Sequence, residues 1–584
     1  MSTKSSFAFI FFLFFLNNSY SQRNLKEENE LSDDIIILHT NDVHCGIMDT
    51  IGYDGLNLYK KELKTKYKHV LLVDAGDHIQ GGAIGLLSKG KDIIDIMNYL
   101  EYDVVVIGNH EFDYKVEQLF NLSEIINATY ICSNFLNRTT NQTIFKPYKI
   151  VEVGNVSIGF IGVITPQTLT KTYLHTLVDE NGTLLYDFLN DKTGQKLYDR
   201  VQSYIDELRN EKNVTYVIIV AHMGYGGDSL PEYNSYSLLA NISGVDAIID
   251  GHSHKIYNSS FPDKFRNYTH ISQTGTKLEM VGKITITSEG NITSELVNNI
   301  TLFEGYEGRY HLENRGGEMR YVDNDTNIFL NSIMAEHSDE FNEIIGNSSF
   351  DLPIYTREKG RIIRFEENTL GNLVTDIYRY YGQSDISITD AGTVRDGLYS
   401  GNITFEKIIN VLPFSDNLYV KNISGLDILD ALEFGVSNLP KGSSKFNQVS
   451  GIRFKIDETI KSSVVLDDQE NFVKVEGERR VYDVYVGDEK LDENKNYTIT
   501  FNSFLSDGGD GYSMFKKYEL LKDTSLLDHG AFKMYLENVL NRTIPDIYKV
   551  PQGRIVKQKK YKNEANYFNK YFKGFSLLLL SLML

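Results

Sequence analysis

Gly108-Asn109-His110-Glu111-Phe112-Asp113 follows directly on Val104-Val105-Val106-Ile107. The apolar, β-branched run reads as a buried strand, so an amide, an imidazole and a carboxylate emerge where a strand ends. In open α/β sheets that edge is where ligands bind. An amide oxygen can ligate a hard or borderline metal ion. A histidine with a carboxylate three residues on can be held in one tautomer and serve as acid, base or charge stabiliser.

Four further apolar runs give the same kind of output. Ile35-Ile36-Ile37-Leu38 leads to Asn41-Asp42-Val43-His44, and Val70-Leu71-Leu72-Val73 leads to Asp74-Ala75-Gly76-Asp77. Val217-Ile218-Ile219-Val220 leads to His222, and Ala247-Ile248-Ile249 leads to Asp250-Gly251-His252-Ser253-His254. Short apolar runs alternating with helical patterns from Asp34 to about Ile286 predict an α/β layered domain. Read singly, His222 would pass for an ordinary core histidine; five strand ends carrying the same chemistry do not arise by coincidence. The ligand types are Asp, Asn and His without Cys, which suits zinc, manganese, cobalt or iron rather than an all-oxygen calcium cage. They exceed the three or four ligands of one catalytic zinc. Two ions about 3.5–4 Å apart, sharing a carboxylate, would use them all.

The chain has 584 residues, which at about 100–200 residues per domain predicts two to four domains. Its apolar fraction of 41% and aromatic fraction of 12% are those of a globular protein with real cores. The net charge of -20 argues against a nucleic-acid polymer as partner, which calls for a basic surface, and leaves room for a local cationic pocket. The two cysteines, Cys45 and Cys132, make neither a disulfide framework nor a thiolate zinc cluster; one bridge or two free thiols remain open.

Both ends carry addressing features. Lys4 precedes the apolar run Phe7–Leu16, and Ser19 and Ser21 follow, a secretory signal layout over 1–21 that is too short to span a membrane. Asn-X-Ser/Thr sequons include Asn127, Asn155, Asn213, Asn267, Asn402 and Asn541, in keeping with a glycosylated ectoprotein. Residues 556–584 read as a polar spacer followed by the apolar tail Phe575–Leu584, the layout of a glycolipid (GPI) anchor signal.

The segment from 325 to 346 reads as a helix with an apolar stripe through Ile328, Phe329, Ile333, Met334 and Phe341. Beyond it, 347–555 carries no metal-type cluster. It offers Arg361 and Arg364, then Thr389-Asp390-Ala391-Gly392-Thr393-Val394-Arg395, Leu412-Pro413-Phe414 and the Asn502–Gly511 stretch. Two loop aromatics can sandwich a base, each stack worth about 1–3 kcal/mol. A guanidinium can grip phosphate bidentately, and a carboxylate can accept ribose hydroxyls.

Asp42-x-His44, Gly76-Asp77, Gly108-Asn109-His110-Glu111, His222 and Gly251-His252-Ser253-His254 resemble the metallophosphoesterase signature. With the rest of the chain they resemble the secreted 5'-nucleotidase family, from about Asp34 to Ile555. The resemblance implies an α/β fold with an α+β second domain: a metallophosphoesterase layered sandwich at 34–324 with a dinuclear metal site, a linker helix at 325–346, and a nucleotide-specificity domain at 347–555. It implies that Asp42, His44 and His254 hold one divalent ion, that Asn109, His222 and His252 hold the other, and that Asp77 bridges them, with zinc first and manganese or cobalt as alternatives. His110 with Asp113 would be the catalytic dyad. Phe414 and Phe504 would stack the base, Asp510 would hold the ribose, and Arg364 and Arg395 would bind phosphate, with Asp390 beside the base.

Two positions depart from the family pattern. His254 stands where close relatives carry an amide, which leaves ligation intact and bears on metal preference. Asp390 stands where an asparagine is expected, and an ionised carboxylate cannot donate as an amide does. The implied activity is metal-dependent hydrolysis of extracellular nucleoside 5'-monophosphates such as AMP. The alternatives are an apyrase or UDP-sugar diphosphohydrolase on the same scaffold and, more distantly, a non-catalytic nucleotide-binding ectoprotein. The implied partner is a small nucleotide, with a second copy of the chain open; the membrane joins them through a lipid anchor if the C-terminal signal is used.

Overall fold

The computed structural model describes residues 31–560, apart from 173–175, 180–182, 227–228, 300–310 and 316–317. The leader at 1–21 and the apolar tail lie outside the described residues. Packing divides the chain into two units. The first comprises Met1–Gln80, Leu87–Thr168 and Leu177–His337, and the second comprises Gly81–Leu86, Leu169–Thr176 and Ser338–Leu584. Two short segments of the region expected to form one continuous domain thus pack with the second unit.

In the first unit, twelve strands form two six-stranded sheets. The strands are β1 (Ser32–Thr40), β2 (Tyr67–Asp74), β3 (Val104–Val106), β4 (Thr129–Ile131), β5 (Tyr148–Val153), β6 (Val156–Ile164), β7 (Tyr216–His222), β8 (Ala247–Ile249), β9 (Ile256–Pro262), β10 (Tyr268–Thr274), β11 (Val281–Ile286) and β12 (Ile292–Val297). One sheet runs β12-β11-β1-β2-β3-β4, and the other runs β9-β10-β8-β7-β6-β5. The centre of each is parallel: β1 with β2, β2 with β3, β3 with β4 in the first, and β6 with β7, β7 with β8, β8 with β10 in the second. The carboxyl ends of β1, β2 and β3, and those of β7 and β8, therefore line up along one edge of their sheets.

The strand pleat sends alternate residues to opposite faces. Ile35, Ile37, Val73, Val104 and Val106 from one sheet meet Ile158, Phe160, Ile218, Val220, Ala247 and Ile249 from the other in one buried cluster. Each valine, isoleucine or phenylalanine among them contributes about 1.5–3 kcal/mol when fully buried. On the outer face of the second sheet, Val217, Ile219, Ile248 and Ile271 pack with Leu197, Val201 and Ile205 of the helix Gln195–Asp206. A helix-covered sheet pressed on a second sheet is the layered α/β arrangement that the alternating runs predict.

The connecting segment differs from the expectation of one helix over 325–346. It is a helix at Asn324–Glu336, a single turn at Ser338–Phe341, and then a strand at Ile344–Ser348. The first helix is capped by the Asp323 side chain, which accepts from the Thr326 N–H at 2.9 Å. Ile344-Ile345 is β-branched, and its strand is consumed by antiparallel pairing with Gly401–Thr404, so tertiary pairing overrides the helical stripe.

The second unit is built on a five-stranded sheet. Its strands are β13 (Ile386–Asp390), β14 (Asn417–Ser424), β15 (Asn447–Ser450), β16 (Asn496–Asn502) and β17 (Leu520–Leu527), in the order β15-β13-β16-β14-β17. Only β13 and β16 are parallel neighbours. The helix Thr369–Gly382 buries Leu370, Leu373, Val374, Ile377 and Tyr378 in the unit's core. It starts at Asn368, whose side chain accepts from the N–H groups of Leu370 and Gly371 at 3.0 and 3.1 Å, a good N-cap. Cys45 and Cys132 are both buried and unbridged. No helix among the described residues is long and apolar enough to cross a membrane.

Candidate active site

Five strand ends of the first unit deliver their polar residues to one place. Asp42, His44, Asp77 and His254 bring ligand atoms within 4.8 Å of one another, and so do Asp77, His222 and His252. Asp77 belongs to both groups. Its Oδ2 lies 3.0 Å from His222 Nε2 and 3.7 Å from His44 Nε2. Asp42 Oδ1 lies 3.4 Å from His254 Nε2, 3.9 Å from His222 Nε2 and 4.0 Å from His44 Nε2. Asn109 joins the second group through its side-chain oxygen, 2.9 Å from His252 Nδ1.

The loops that hold these residues are tightly wound. Asp42, His44, Asp77, His252 and His254 all have positive φ, between 46° and 80°. That conformation costs a non-glycine residue on the order of 1–3 kcal/mol and persists only where the surroundings impose it. Here backbone bonds do so: Asp42 N–H donates to the Gly76 carbonyl at 2.9 Å and His44 N–H to the Asp77 carbonyl at 3.0 Å. The His252 N–H donates to Asp42 Oδ2 at 2.9 Å. Two glycines permit the approach. A Cβ at Gly108 would lie 2.2 Å from Asp77 Oδ1, and one at Gly251 would lie 2.8 Å from His222 Nδ1.

Hydrogen bonds also choose the tautomers. His44 Nδ1 pairs with the Gln80 carbonyl at 2.7 Å, and His222 Nδ1 pairs with the Ala75 carbonyl at 2.7 Å. A carbonyl accepts only from a protonated nitrogen, so both imidazoles turn Nε2 toward the carboxylates. The buried Nε2 of His222 then faces the oxygens of Asp77 and Asp42, lone pair against lone pair, unless a proton or a cation lies between. Burial opposes charge on His222, but Asp77 and Asp42 outweigh it and push the imidazole up to about 10. Burial pushes the Asp42 carboxyl up to about 7, against the pull of His222. Burial also works against the Asp77 carboxylate, and His222, His110 and His44 override it and hold the group well below its usual range. Imidazole, carboxylate and amide donors crowded this closely, with a proton held at His222, fit divalent ions that take its place.

His110 sits beside the cluster, its ring 5.2 Å from that of His44. Its Nδ1–H donates to Asp113 Oδ2 at 2.6 Å, and its backbone N–H donates to Asp77 Oδ1 at 2.8 Å.

Glu111 and Asn41, both quoted in the strand-end motifs, had no role in the sequence reading. Glu111 is fully buried and accepts the N–H groups of Gly108 at 2.6 Å, Asp77 at 2.8 Å and His78 at 2.9 Å. It clamps the loop after β2 to the loop after β3. A charged residue between His110 and Phe112 at a buried strand end is the signal that could have marked it. Asn41 donates to Asp42 Oδ2 at 2.7 Å and accepts the Thr274 N–H at 2.8 Å, which orients the Asp42 carboxylate.

The residues expected to bind substrate lie in the second unit. Asp390 ends β13, Arg364 ends a short 3-10 turn at Ile362–Arg364, and Phe504 lies in the turn Ser503–Ser506. Arg395 and Phe414 are loop residues in contact, with the guanidinium 5.8 Å from the ring centre. Phe414 and Phe504 are half-buried. Asp390 and Asp510 are buried and flank Gly392, where a Cβ would lie 2.7 Å from Asp390 Oδ2 and 3.7 Å from Asp510 Oδ2. Burial, then the Asp510 charge, push the Asp390 carboxyl up to about 6. Lys171 was not anticipated. Its Nζ donates to Asp510 Oδ1 at 2.8 Å and to Ser444 Oγ at 2.9 Å, across 339 positions of sequence, and no local pattern announces it.

Comparison with known proteins places this geometry. The calcineurin-like phosphoesterase family profile matches residues 35–256, and the 5'-nucleotidase C-terminal domain profile matches residues 344–517. A trifunctional nucleotide phosphoesterase protein of Bacillus subtilis is 25% identical over 89% of this chain, which spans only 35% of that longer protein. A snake venom 5'-nucleotidase from Crotalus adamanteus is 26% identical over 90% of this chain and 89% of its own length. An apyrase from Tabanus yao is 26% identical over 82% of this chain and 86% of its own. The crystal structure of a 5'-nucleotidase precursor from Thermus thermophilus shares the fold, with a TM-score of 0.71 and 23% identity over 90% of this chain and 100% of that one. With both family domains matched in this order, and the histidine–aspartate cluster lying in the first, the chain is a phosphoester hydrolase that belongs to the 5'-nucleotidase family.

Proposed function

We propose that the protein is a two-metal 5'-nucleotidase that releases phosphate from extracellular nucleoside 5'-monophosphates. The observation that carries this reading is Asp77 as the common corner of two ligand groups, with the His110–Asp113 pair beside it. Asp42, His44 and His254 with Asp77 would hold one ion; Asn109, His222 and His252 with Asp77 would hold the other. The donor set suits zinc, with manganese or cobalt as alternatives. Bound divalent ions supply Lewis acidity, which lowers the pKa of water toward 7 and offsets charge on the phosphoryl oxygens. With Nδ1 committed to Asp113, His110 Nε2 is the nitrogen that donates to a phosphoryl oxygen or to the departing ribose oxygen.

In the second unit, Phe414 and Phe504 hold the base by stacking, Asp510 holds the ribose, Arg364 and Arg395 take phosphate oxygens, and Asp390 lies beside the base. The leader, the sequons and the tail support secretion and a glycolipid anchor, and a homodimer belongs to the same reading.

Phosphate release from AMP, ADP, ATP and UDP-glucose, with EDTA and then with added Zn²⁺ or Mn²⁺, tests the reading. Activity on AMP that EDTA removes and metal restores supports it. Preference for ATP or ADP moves the protein to the apyrase reading, which the Tabanus relative favours. No release from any substrate overturns the reading.

A further inference from the structure

We propose that Asn267 carries an N-linked glycan whose inner sugars pack on the exposed rings of Phe265 and Tyr268. The inference rests on the secretion reading above. The pattern Phe-x-Asn-x-Thr occurs twice in the chain, as Phe135-Leu136-Asn137-Arg138-Thr139 and as Phe265-Arg266-Asn267-Tyr268-Thr269. The two are alike in sequence and opposite in structure. Phe135 is fully buried and stacks on Phe188 at 5.2 Å. Asn137 folds its side-chain oxygen back onto the N–H groups of Thr139 and Thr140 at 3.0 and 3.1 Å. Nothing there can receive a sugar on the ring.

Phe265 and Tyr268 are 70% and 74% exposed, at the tip of the hairpin between β9 and β10, with Asn267 exposed between them. The turn is stiff. Asp263 Oδ1 accepts the N–H groups of Phe265 and Asn267, each at 2.8 Å, and the Asp263 N–H donates to the Asn267 carbonyl at 2.8 Å. Arg266 takes the left-handed conformation at φ 70°, the bulge that closes such a hairpin. The Asn267 amide nitrogen donates to Asp263 Oδ2 at 3.2 Å, which fixes the direction of the side chain beside the two rings in the folded hairpin. Two large open rings within two residues of an exposed sequon asparagine match what a glycan core needs. A pyranose presents a face of C–H groups, and an aromatic ring presents a negative face to it.

Transfer forms a bond between the Asn267 amide nitrogen and the anomeric carbon of a polyprenyl-diphosphate-linked oligosaccharide. The polyprenyl diphosphate departs with the bonding pair, and the amide loses one proton. Thr269, the hydroxyl residue of the sequon, is 4% exposed, with its Oγ1 donating to the Val245 carbonyl, so attachment precedes closure of this hairpin onto the sheet.

The test is glycopeptide mass spectrometry on the full chain secreted from a eukaryotic host, with the wild type beside a Phe265→Ala/Tyr268→Ala variant that keeps the sequon. The expected result is an occupied Asn267 and a fall in Tm of about 1–2 °C on enzymatic deglycosylation of the wild type, the shift that about 1 kcal/mol produces in a folded unit of this size. Deglycosylation should lower the Tm of the double variant less than that of the wild type, because only the Asn267 glycan has lost its seat. The Asn267→Gln variant should start from a lower Tm than the wild type and lose on deglycosylation only what the double variant loses, with phosphate release unchanged. An unmodified Asn267 peptide beside glycosylated peptides from other sequons overturns the proposal and leaves secretion standing. Equal Tm shifts in wild type and double variant overturn the aromatic seat. A chain without any glycan overturns both this proposal and the secretion reading, and leaves the nucleotidase reading to the phosphate assay.

Discussion

The two units assemble their candidate functional residues by opposite means. In the first, the residues leave aligned strand ends, Asp42, His44, Asp77, His252 and His254 sit in left-handed backbone, and main-chain bonds and Glu111 pin the loops. In the second, they come from a strand end, two loops, two short turns and the left-handed Asp510, with Arg395 on Phe414 and Asp390 beside Asp510. Charge convergence needs rigidity, because carboxylates and imidazoles this close are tolerable only in one geometry. Recognition by stacking needs an accessible ring face, and half-buried side chains supply it. A substitution in the first unit should therefore act on rate or integrity, and one in the second on affinity.

The sharpest test of that division is Asp77→Asn. It should lower kcat/KM for AMP by at least about 10³-fold, several kcal/mol of charge stabilisation being lost, and reduce bound metal by elemental analysis. Near-normal turnover would break the comparison at its root. His110→Ala should lower kcat by about 10²–10⁴-fold with metal content unchanged; loss of metal instead would make His110 part of the cluster's scaffold. Glu111→Ala should strip the buried N–H groups of Gly108, Asp77, His78 and Ile79 of their acceptor and destabilise the protein by about 2–4 kcal/mol, read from the denaturant midpoint. An unchanged midpoint would mean that the clamp between the β2 and β3 loops is dispensable.

Smaller effects belong to the second unit. Phe504→Ala should raise KM for AMP about tenfold, within the range of one stack, with kcat nearly unaltered. A fall in kcat alone would blur the division. Asp390→Asn should act through pH. The carboxyl titrates at about 6 in the folded chain against an ordinary 3.8, so the folded state holds the proton more tightly. Its favourable contribution is present below about pH 4 and is lost as pH rises through 6. The variant should therefore gain Tm over wild type at pH 7.5, by the equivalent of about 1 kcal/mol or more, and gain nothing at pH 4. A gain at both would trace the effect to packing rather than charge.

Much of the first unit was legible because it is local. Val104–Ile107 and the other apolar runs announce buried strands, and a strand's carboxyl end is fixed by chain direction alone, so residue types just beyond it report on one edge of the sheet. The connector shows where local reading stops. Its helical stripe continues past Glu336, but pairing of Ile344–Ser348 with Gly401–Thr404 wins.

The sequence by itself determined the layered α/β class, the strand-end chemistry of Asp42, His44, Asp77, Asn109, His222, His252 and His254, and the adjacency of His110 and Asp113. Strand direction, side-chain alternation and a spacing of three residues are all short-range facts. The tertiary structure alone decided the rest. It made Glu111 a clamp, brought Lys171 onto Asp510, left Cys45 and Cys132 apart, and buried Phe135 while exposing Phe265 in the same five-residue pattern. Each of these depends on which distant segment packs nearby. Burial and pairing free energies are summed over the whole fold, and no window of sequence contains that sum.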